Sequence, residues 1–582
     1  MNGELQLFNR QTKIFRGKIL VVGVGPTAFL SIIRSFGRKG FDVHIANDST
    51  ADLALYSRYI IKAHNISPSS APVQRKSDII RIMKEEKFDL VIPVGDQNVI
   101  PFHLFRSEYE SAGRMYLLDE NAFQITNSKI LTCQLARSLG IPVPRSEIIS
   151  EACDSPAVLS RFTMPVMLKP VSSYSVTNLE EKRHVNRIDT PEQFEQSMRG
   201  MLLHGQVIVQ EYFEGIGIGL ELLAYQGEIL ISFQHIRIHE EGKNIGSTYR
   251  KSQSVDETFF SAAKKVITAL HYTGVAMFEF RYNPDTKTWV IIEINGRFWG
   301  SLPLPIACGI DFPYFLYQML VDGRREFPQN YRIGLYCRNT DTDIHWIGKS
   351  IFHKDSSDNK KGYSIIRYVL EWGNILLLRE KNDVFVLDDP LPGIIELYRL
   401  FQWGCSKVIS KVRQKSAPVF SSQKEHSKDL LAALKNTHSI LFVCYGNICR
   451  SPFAGAYLRK IVTSAIQVRS CGYYPVADRA CPVEAVFAAK KYGVDLSDHR
   501  SQVITDEIIQ ESDIIFIFDE KNLQEFTRRY PQIIDKVWYL SEVTQKVPST
   551  IPDPYGKDLA AYEDVYGDIA ENIKGIALLV IR

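Results

Sequence analysis

The chain has 582 residues, 45% hydrophobic and 23% charged, with a formal net charge of +3. That length exceeds what one hydrophobic core serves, so roughly three or four domains are expected, and a near-neutral balance argues against nucleic-acid binding, which normally shows as a concentrated basic face. The nine cysteines are scattered without zinc-ribbon spacing, which suits a reducing compartment; with no apolar leader and no run of about 20 apolar residues, the expected location is cytoplasmic.

The first predicted strand is KILVVGVG at 18–25, followed by the helix TAFLSIIRSFGRKG, the strand FDVHIAND and a further strand DLVIPVGD at 89–96. Strands alternating with helices predict a parallel α/β sheet over residues 1–125. GVGPTAF lacks the third glycine of a dinucleotide fingerprint, so it reads as a tight turn at the end of the first strand, with Asp48 having no ribose to bind. SKILTCQLARSLG opens the next domain, 126–325, as an amphipathic helix. PVMLKPV, QVIVQEYFEG, GLELLAYQGEILISFQ, VAMFEFRYN and WVIIEINGRF follow as strands of a largely antiparallel sheet, with the helix ETFFSAAKKVITALHY packed on it. GKNIGSTYRKSQSV at 242–255 reads as a mobile substrate loop. Residues 326–435 are a connecting region. Its amphipathic helix LPGIIELYRLFQWGCSKVISKVRQK is expected to pack on its own domain with a solvated basic tail, the alternative being a membrane-surface or partner helix, and SAPVFSSQKEHSKD is a polar linker. A fresh βα pattern starts at SILFVC and fills 436–582.

Two constellations carry chemistry. The first is VCYGNICRSP, Val443–Pro452. A strand delivers the chain to Cys444, and Ser451 and Pro452 suit a helix start just beyond. The helix dipole and the amides of residues 445–450 (Tyr445, Gly446, Asn447, Ile448, Cys449, Arg450) then form a concave nest for a tetrahedral anion. Gly446 is expected to supply the unusual dihedrals and Asn447 to tie the loop. Arg450 offers a planar fork to two phosphate oxygens, and the field favours Cys444 as a thiolate nucleophile. Downstream, Asp553 in IPDPYG is a candidate general acid, and Tyr445 and Tyr555 are candidates to flank a flat aromatic leaving group.

VCYGNICRSP with a late DPY, together with DLSDHRSQ at 495–502 and SDIIFIFDEKN at 512–522, resembles the low-molecular-weight protein tyrosine phosphatases over about residues 437–582. The resemblance implies an α/β domain with a central parallel sheet in which Cys444 is the nucleophile, Arg450 the phosphate clamp, Ser451 the thiolate partner and Asp553 the acid. It further implies that Asn447 braces the loop and that Cys449 can trap Cys444 as a reversible disulfide. Arsenate reductases share a similar loop but need a resolving cysteine on a later segment, and no cysteine follows Cys481.

The second constellation lies in MFEFRYN and IIEINGRF. Glu293 and Asn295, two apart on a strand, point the same way, and Glu279 joins them if its strand pairs there. Two carboxylates and an amide oxygen suit Mg²⁺ carried by a nucleotide. Arg297 extends that face, Lys129 and Lys169 are candidates for phosphate contacts, and Gln210, Glu211 and Tyr212 sit at a strand end. This arrangement over about residues 18–325 resembles the ATP-grasp superfamily. The resemblance implies a pre-ATP-grasp α/β domain and an α+β ATP-grasp fold, with Glu279, Glu293 and Asn295 on the metal and Lys129 and Lys169 on ATP phosphates. Glu211 and its neighbours would read adenine, and Arg297 would steady an acyl phosphate. KPVSSYSVTN carries serines where many members carry a glycine-rich loop. Arg237, Arg250 and Arg281 are candidates for the substrate carboxylate.

The expected protein is therefore a bifunctional enzyme of α/β and α+β multidomain class. One part is an ATP- and Mg²⁺-dependent (alternatively Mn²⁺-dependent) carboxylate–amine ligase; the other is a cysteine-dependent phosphatase of phosphotyrosine proteins or small phosphorylated metabolites. One alternative makes the N-terminal part a non-catalytic ATP-binding regulator of the phosphatase; another makes the C-terminal domain arsenate-reductase-like. Membrane contact is not expected, and a homo-oligomer is left open.

Overall fold

The computed structural model describes residues 15–69, 71–151, 155–174, 179, 183–241, 246–352, 365–416, 430, 432–435, 437–462, 466–544 and 550–580. The chain forms two compact units: Met1–Ile148, Val158–Asp189 and Val207–Ser410 make the first, and Ile149–Ala157, Thr190–Gln206 and Lys411–Arg582 the second.

The first unit opens on a parallel sheet, β1 (Lys18–Val22), β2 (Asp42–Asn47), β3 (Ile60–Asn65) and β4 (Leu90–Pro93), in the order β3-β2-β1-β4. Its inner strands are near-continuous apolar runs, as a sheet covered on both faces requires; Ile19, Leu20, Val21 and Val22 are all fully buried. The GVGPTAF segment is the expected tight turn: Gly25 has φ +107° and donates its N–H to Asp52 at 2.7 Å, and Asp48 pairs with Arg75 at 2.8 Å.

A small sheet follows, β5 (Ser146–Ile149), β6 (Val166–Pro170), β7 (Asn186–Ile188) and β8 (Val207–Glu211), ordered β5-β8-β6-β7. The large sheet has seven strands: β9 (Ile216–Tyr225), β10 (Glu228–Glu241), β11 (Gly246–Gln253), β12 (Gly274–Asn283), β13 (Thr288–Asn295), β14 (Tyr336–Arg338) and β15 (Glu380–Asn382), in the order β13-β12-β9-β10-β11-β14-β15. Its pairs are antiparallel except β14–β15. Helix Glu257–Ala269, capped by Asp256, buries Phe259, Ala263, Val266 and Ile267 against it.

Two segments differ from the sequence reading. Residues 246–253 are strand β11 rather than a loop, paired to β10 and β14; residues 242–245 lie outside the described residues, as does 175–178 of the serine-rich segment. The large sheet also runs past residue 325, because β14 and β15 complete its edge. The chain between β15 and the helix Leu391–Ser416 is bolted to the first sheet's layer: the buried Asp389 carboxylate accepts from Arg34 at 2.9 Å, Ser57 at 2.7 Å and the Arg58 amide at 2.9 Å.

The second unit carries a four-stranded all-parallel sheet, β16 (Ser439–Cys444), β17 (Gln467–Gly472), β18 (Ile514–Ile517) and β19 (Val537–Tyr539), ordered β17-β16-β18-β19. The central strand SILFVC is buried at every position. Helix Leu559–Val580 covers one face through Tyr562, Tyr566, Ile569 and Ile573.

Candidate active sites

In the second unit, β16 ends at Cys444, and helix Arg450–Ile461 starts six residues on. Cys444 Sγ lies 3.1 Å from Ser451 Oγ and accepts from the Asn447 amide at 3.2 Å. Ser451 thus faces the sulfur instead of capping its helix: the N-cap position is Cys449, with no side-chain cap. The left-handed residue is Asn447, at φ +51°, and not Gly446. Asn adopts that conformation most readily after glycine, and here its fully buried side chain ties the loop on three sides. It donates to Ser451 Oγ at 2.9 Å and Ser470 Oγ at 3.1 Å, and accepts from the Gln502 amide at 2.8 Å. Gly472, at the end of β17, lets the loop come close, since a Cβ there would stand 2.8 Å from the Asn447 nitrogen.

Arg450 is buried beneath the loop. One guanidinium nitrogen donates to Asp519 at 2.6 Å and to the Ile551 carbonyl at 2.9 Å, and the other lies 2.9 Å from Asp553. Its Nε is buried with no hydrogen-bond partner, a donor that a phosphate oxygen would satisfy. Asp553 remains on the exposed side and accepts from the Tyr555 amide at 3.3 Å. The rim is aromatic: Tyr445 and Tyr555 are exposed, Tyr445 meets Tyr474 edge-on at 6.2 Å, and Arg479 lies over the Tyr474 ring at 4.0 Å. Arg479 also donates to the Gly446 carbonyl at 2.5 Å, and His499 bonds the Asn447 carbonyl at 3.0 Å. Ile448 and Cys449 are buried. Burial pushes the Cys449 thiol well up, so it is held neutral beside the nucleophile. Sequence reasoning missed Asp519, Tyr474, Arg479 and His499; the available signal for Asp519 was an acid closing the apolar run IIFIF.

In the first unit, Glu279 and Glu293 face each other directly across β12 and β13. The Asn295 amide donates to Glu279 at 3.1 Å, and Arg237 pairs with the same carboxylate at 2.6 Å. A cleft of about 150 Å³ is lined by Lys129, Cys133, Arg137, Lys169, Ile208, Gln210 and Ile292. Beside it, Lys129 also lines a second recess with Asp96, Ser173, Glu293, Asn295 and Arg297. Lys129 donates to Ser173 at 3.1 Å. Burial, aided by Lys129, lowers the Lys169 ammonium to about 8, against the pull of Glu293 and Glu279. Glu293 and Asn295 share a recess with Lys129, and Lys169 lines the adjoining cleft with Ile208, Gln210 and Ile292; carboxylate and amide oxygens near two lysines fit Mg²⁺ and a nucleotide.

The remaining expected residues are placed less simply. Gln210 lines the cleft, but Glu211 accepts from the Arg145 amide at 3.0 Å and Tyr212 lies under Arg187 at 4.6 Å. Arg297 makes a two-pronged pair with Asp96, one contact at 2.9 Å, a partner sequence reading did not name. Of the three arginines considered for a carboxylate, Arg250 pairs internally with Asp383, Arg281 bonds Glu240 at 2.5 Å, and Arg237 alone reaches the metal-type face.

A family model for low molecular weight phosphotyrosine protein phosphatases matches residues 439–580. A protein described as "Probable low molecular weight protein-tyrosine-phosphatase EpsP" from Ralstonia nicotianae is 36% identical over 126 residues, 22% of this chain and 84% of that protein. The chain belongs to the low-molecular-weight protein-tyrosine-phosphatase family. That phosphatase unit is also 27% identical over 140 residues to a protein-arginine-phosphatase from Geobacillus stearothermophilus, 24% of this chain and 94% of that protein. Ahead of the phosphatase, a model for ATP-grasp in the biosynthetic pathway with Ter operon matches residues 204–341. A biotin carboxylase structure from Campylobacter jejuni aligns at 16% identity and TM-score 0.46, covering 55% of this chain and 74% of that one. Both matched families are enzymatic, and the chain carries an ATP-grasp domain and a phosphatase domain.

Proposed function

We propose that the chain is a bifunctional enzyme in which one site joins a carboxylate to an amine using ATP and the other hydrolyses an aryl phosphate ester. The observation that supports this reading is that one chain holds both the Cys444–Ser451–Arg450–Asp553 set and the Glu279–Glu293 pair, with Glu293 sharing a recess with Lys129 and Lys169 in the adjoining cleft.

In the phosphatase reaction, Cys444 Sγ attacks phosphorus while Arg450 and the loop amides hold the non-bridging oxygens. Asp553 gives a proton to the departing oxygen. It then takes one from the water that displaces phosphate from sulfur. Tyr445, Tyr474 and Tyr555 form a rim suited to a flat ring. In the ligase reaction, Lys129 and Lys169 would hold the ATP phosphates, and Glu279, Glu293 and Asn295 would hold Mg²⁺ or Mn²⁺. Held there, the ion would supply charge neutralisation for the phosphates. The substrate carboxylate would take the terminal phosphoryl group of ATP, releasing ADP, and the amine nitrogen would then attack the acyl carbon, lose a proton and expel phosphate.

A second reading keeps the phosphatase and makes the ATP-grasp domain a regulatory nucleotide sensor; it is favoured by Asp96, which holds the guanidinium that would steady the acyl phosphate. The test uses the full chain with Cys444→Ser, so that phosphorylated products survive. It is given Mg·ATP with pooled amino acids and small carboxylates, and ADP and new masses are followed. Turnover abolished by Glu293→Ala supports the ligase; ATP binding without turnover supports the sensor, and absence of ATP binding overturns both. In parallel, the unmodified chain is offered phosphotyrosine and phosphoarginine peptides, and preference for the latter overturns the aryl ester.

A further inference from the structure

One face of the first sheet carries polar groups that neither site uses. Lys18 of β1 is in register with Asp42 of β2, His44 of β2 with Lys62 of β3, and Ala46 with His64. Residues two apart on a strand share a face, so Lys18, Asp42, His44, Lys62 and His64 lie together, reaching the edge strand β3. The helix Pro72–Glu86 covers the apolar part of this face, packing Ile79, Ile82 and Met83 on Leu20 and Ala46. Its last residue, Glu86, ends at the cluster. His44 is buried, and its Nδ1 lies 3.0 Å from His64 Nε2. Glu86 accepts from Lys18 and, at 2.5 Å, from Lys62. One ring nitrogen from each histidine and one Glu86 oxygen all lie within 4.8 Å of one another.

The neighbours set the protonation of this group. Asp42 Oδ1, buried and satisfied by no hydrogen bond, stands 3.3 Å from His44 Nε2. A carboxylate there draws the ring proton to Nε2 and leaves the Nδ1 lone pair facing His64. Burial lowers both imidazoles, His64 to about 4, where the charges of His44 and Lys62 add to the effect. Lys18 and Lys62 hold the Glu86 carboxyl down at about 2. At pH 7 the group is therefore two neutral imidazoles and a carboxylate, the protonation that metal binding requires. Two nitrogens on one tetrahedral zinc stand about 3.4 Å apart, given bonds of about 2.05 Å. The two rings need to part by only a few tenths of an ångström to reach that spacing. The lysines oppose a cation, but Lys62 is exposed at the sheet edge and can turn to solvent, releasing Glu86.

We propose that His44 Nδ1, His64 Nε2 and the Glu86 carboxylate bind one zinc ion, with water in the fourth position and Asp42 orienting His44. The metal would then tie β2, β3 and the end of the helix Pro72–Glu86 together. This holds whichever reading of the ATP-grasp domain is right. Zn²⁺ is titrated calorimetrically into the full chain carrying Cys444→Ser, which removes the reactive thiol, with Mg²⁺ in excess to occupy the Glu279–Glu293 site. One equivalent is expected to bind and to raise Tm. His64→Ala and Glu86→Gln should each remove that equivalent, and Asp42→Asn should weaken it by about tenfold. Lys62→Gln, which leaves Glu86 one competitor fewer, should tighten it. Co²⁺ in place of zinc should show the visible absorption of a tetrahedral nitrogen–oxygen site without thiolate charge-transfer absorption. Tm in EDTA, compared among the variants, is the control for folding. Absence of zinc binding overturns the proposal and leaves the two rings in a simple hydrogen bond. So does binding that survives His64→Ala or Glu86→Gln, or a cobalt spectrum that reports thiolate.

Discussion

Arg450 and Asp553 stand 2.9 Å apart, so the proposed phosphate clamp and proposed acid share one ion pair. An incoming phosphate competes with the Asp553 carboxylate for the guanidinium and leaves that carboxyl next to the leaving oxygen. Asp553→Asn should therefore lower kcat by about 100-fold on phenyl phosphate, whose leaving group needs a proton, and much less on p-nitrophenyl phosphate. Equal losses on both would place the residue in binding and not in proton transfer.

The Lys169 ammonium titrates near 8 because it is buried beside Lys129. It is charged below that value and neutral above it. ATP affinity should then fall several-fold from pH 7 to pH 9, measured by titration calorimetry. Lys169→Arg, with a permanently charged group, should bind with little change over the same range. A flat profile in the unmodified chain would remove Lys169 from the phosphate contacts.

Arg34 and Asp389 form a buried ion pair at 2.9 Å. Asp389→Ala strands the guanidinium in a dry site and should cost about 3–5 kcal/mol of stability in the first unit, read by denaturant unfolding. Replacing both partners with apolar residues should recover part of that loss.

Glu396 carries the opposite imbalance. Burial, with Asp341 and Asp383 nearby, raises its carboxyl to about 8. The folded chain keeps a proton that the unfolded chain releases above its ordinary value of 4.5. Stability therefore drops across the window from 4.5 to about 8 and levels off beyond it. Glu396→Gln lacks this penalty: its Tm should match the unmodified chain near pH 4 and exceed it by a few degrees near pH 9.

The phosphatase loop was legible because its chemistry is local: ten consecutive residues between a buried strand and a helix fix Cys444, Asn447, Ser451 and Arg450 relative to one another. Glu293 and Asn295 were legible for a similar reason, since polar residues two apart in an apolar strand share a face. Partners brought in by tertiary packing were not. Asp519 reaches Arg450 from 69 residues away and Asp96 reaches Arg297 from 201. Strand β11, GSTYRKSQ, reads as a loop because its inward residues are polar, and their burial is supported by partners such as Asp383 for Arg250 and Glu380 for Tyr249. Strands β14 and β15, at three residues each, are too short to show a period. The helix Leu391–Ser416 was visible as periodicity, but sequence cannot tell which face of a two-sided helix meets its own domain.

The late strands β14 and β15 also decide where this polypeptide can be cut. A fragment ending at residue 325 would retain every residue assigned to ATP and metal, yet β11 would lose its neighbour β14 and present a bare row of N–H and C=O groups to other chains. Arg250, Tyr249 and Arg34 would each lose an acidic partner supplied by residues 380–389. The ATP-grasp part is thus one indivisible piece reaching at least to Asp389, and a shorter version should aggregate for want of its own last strands.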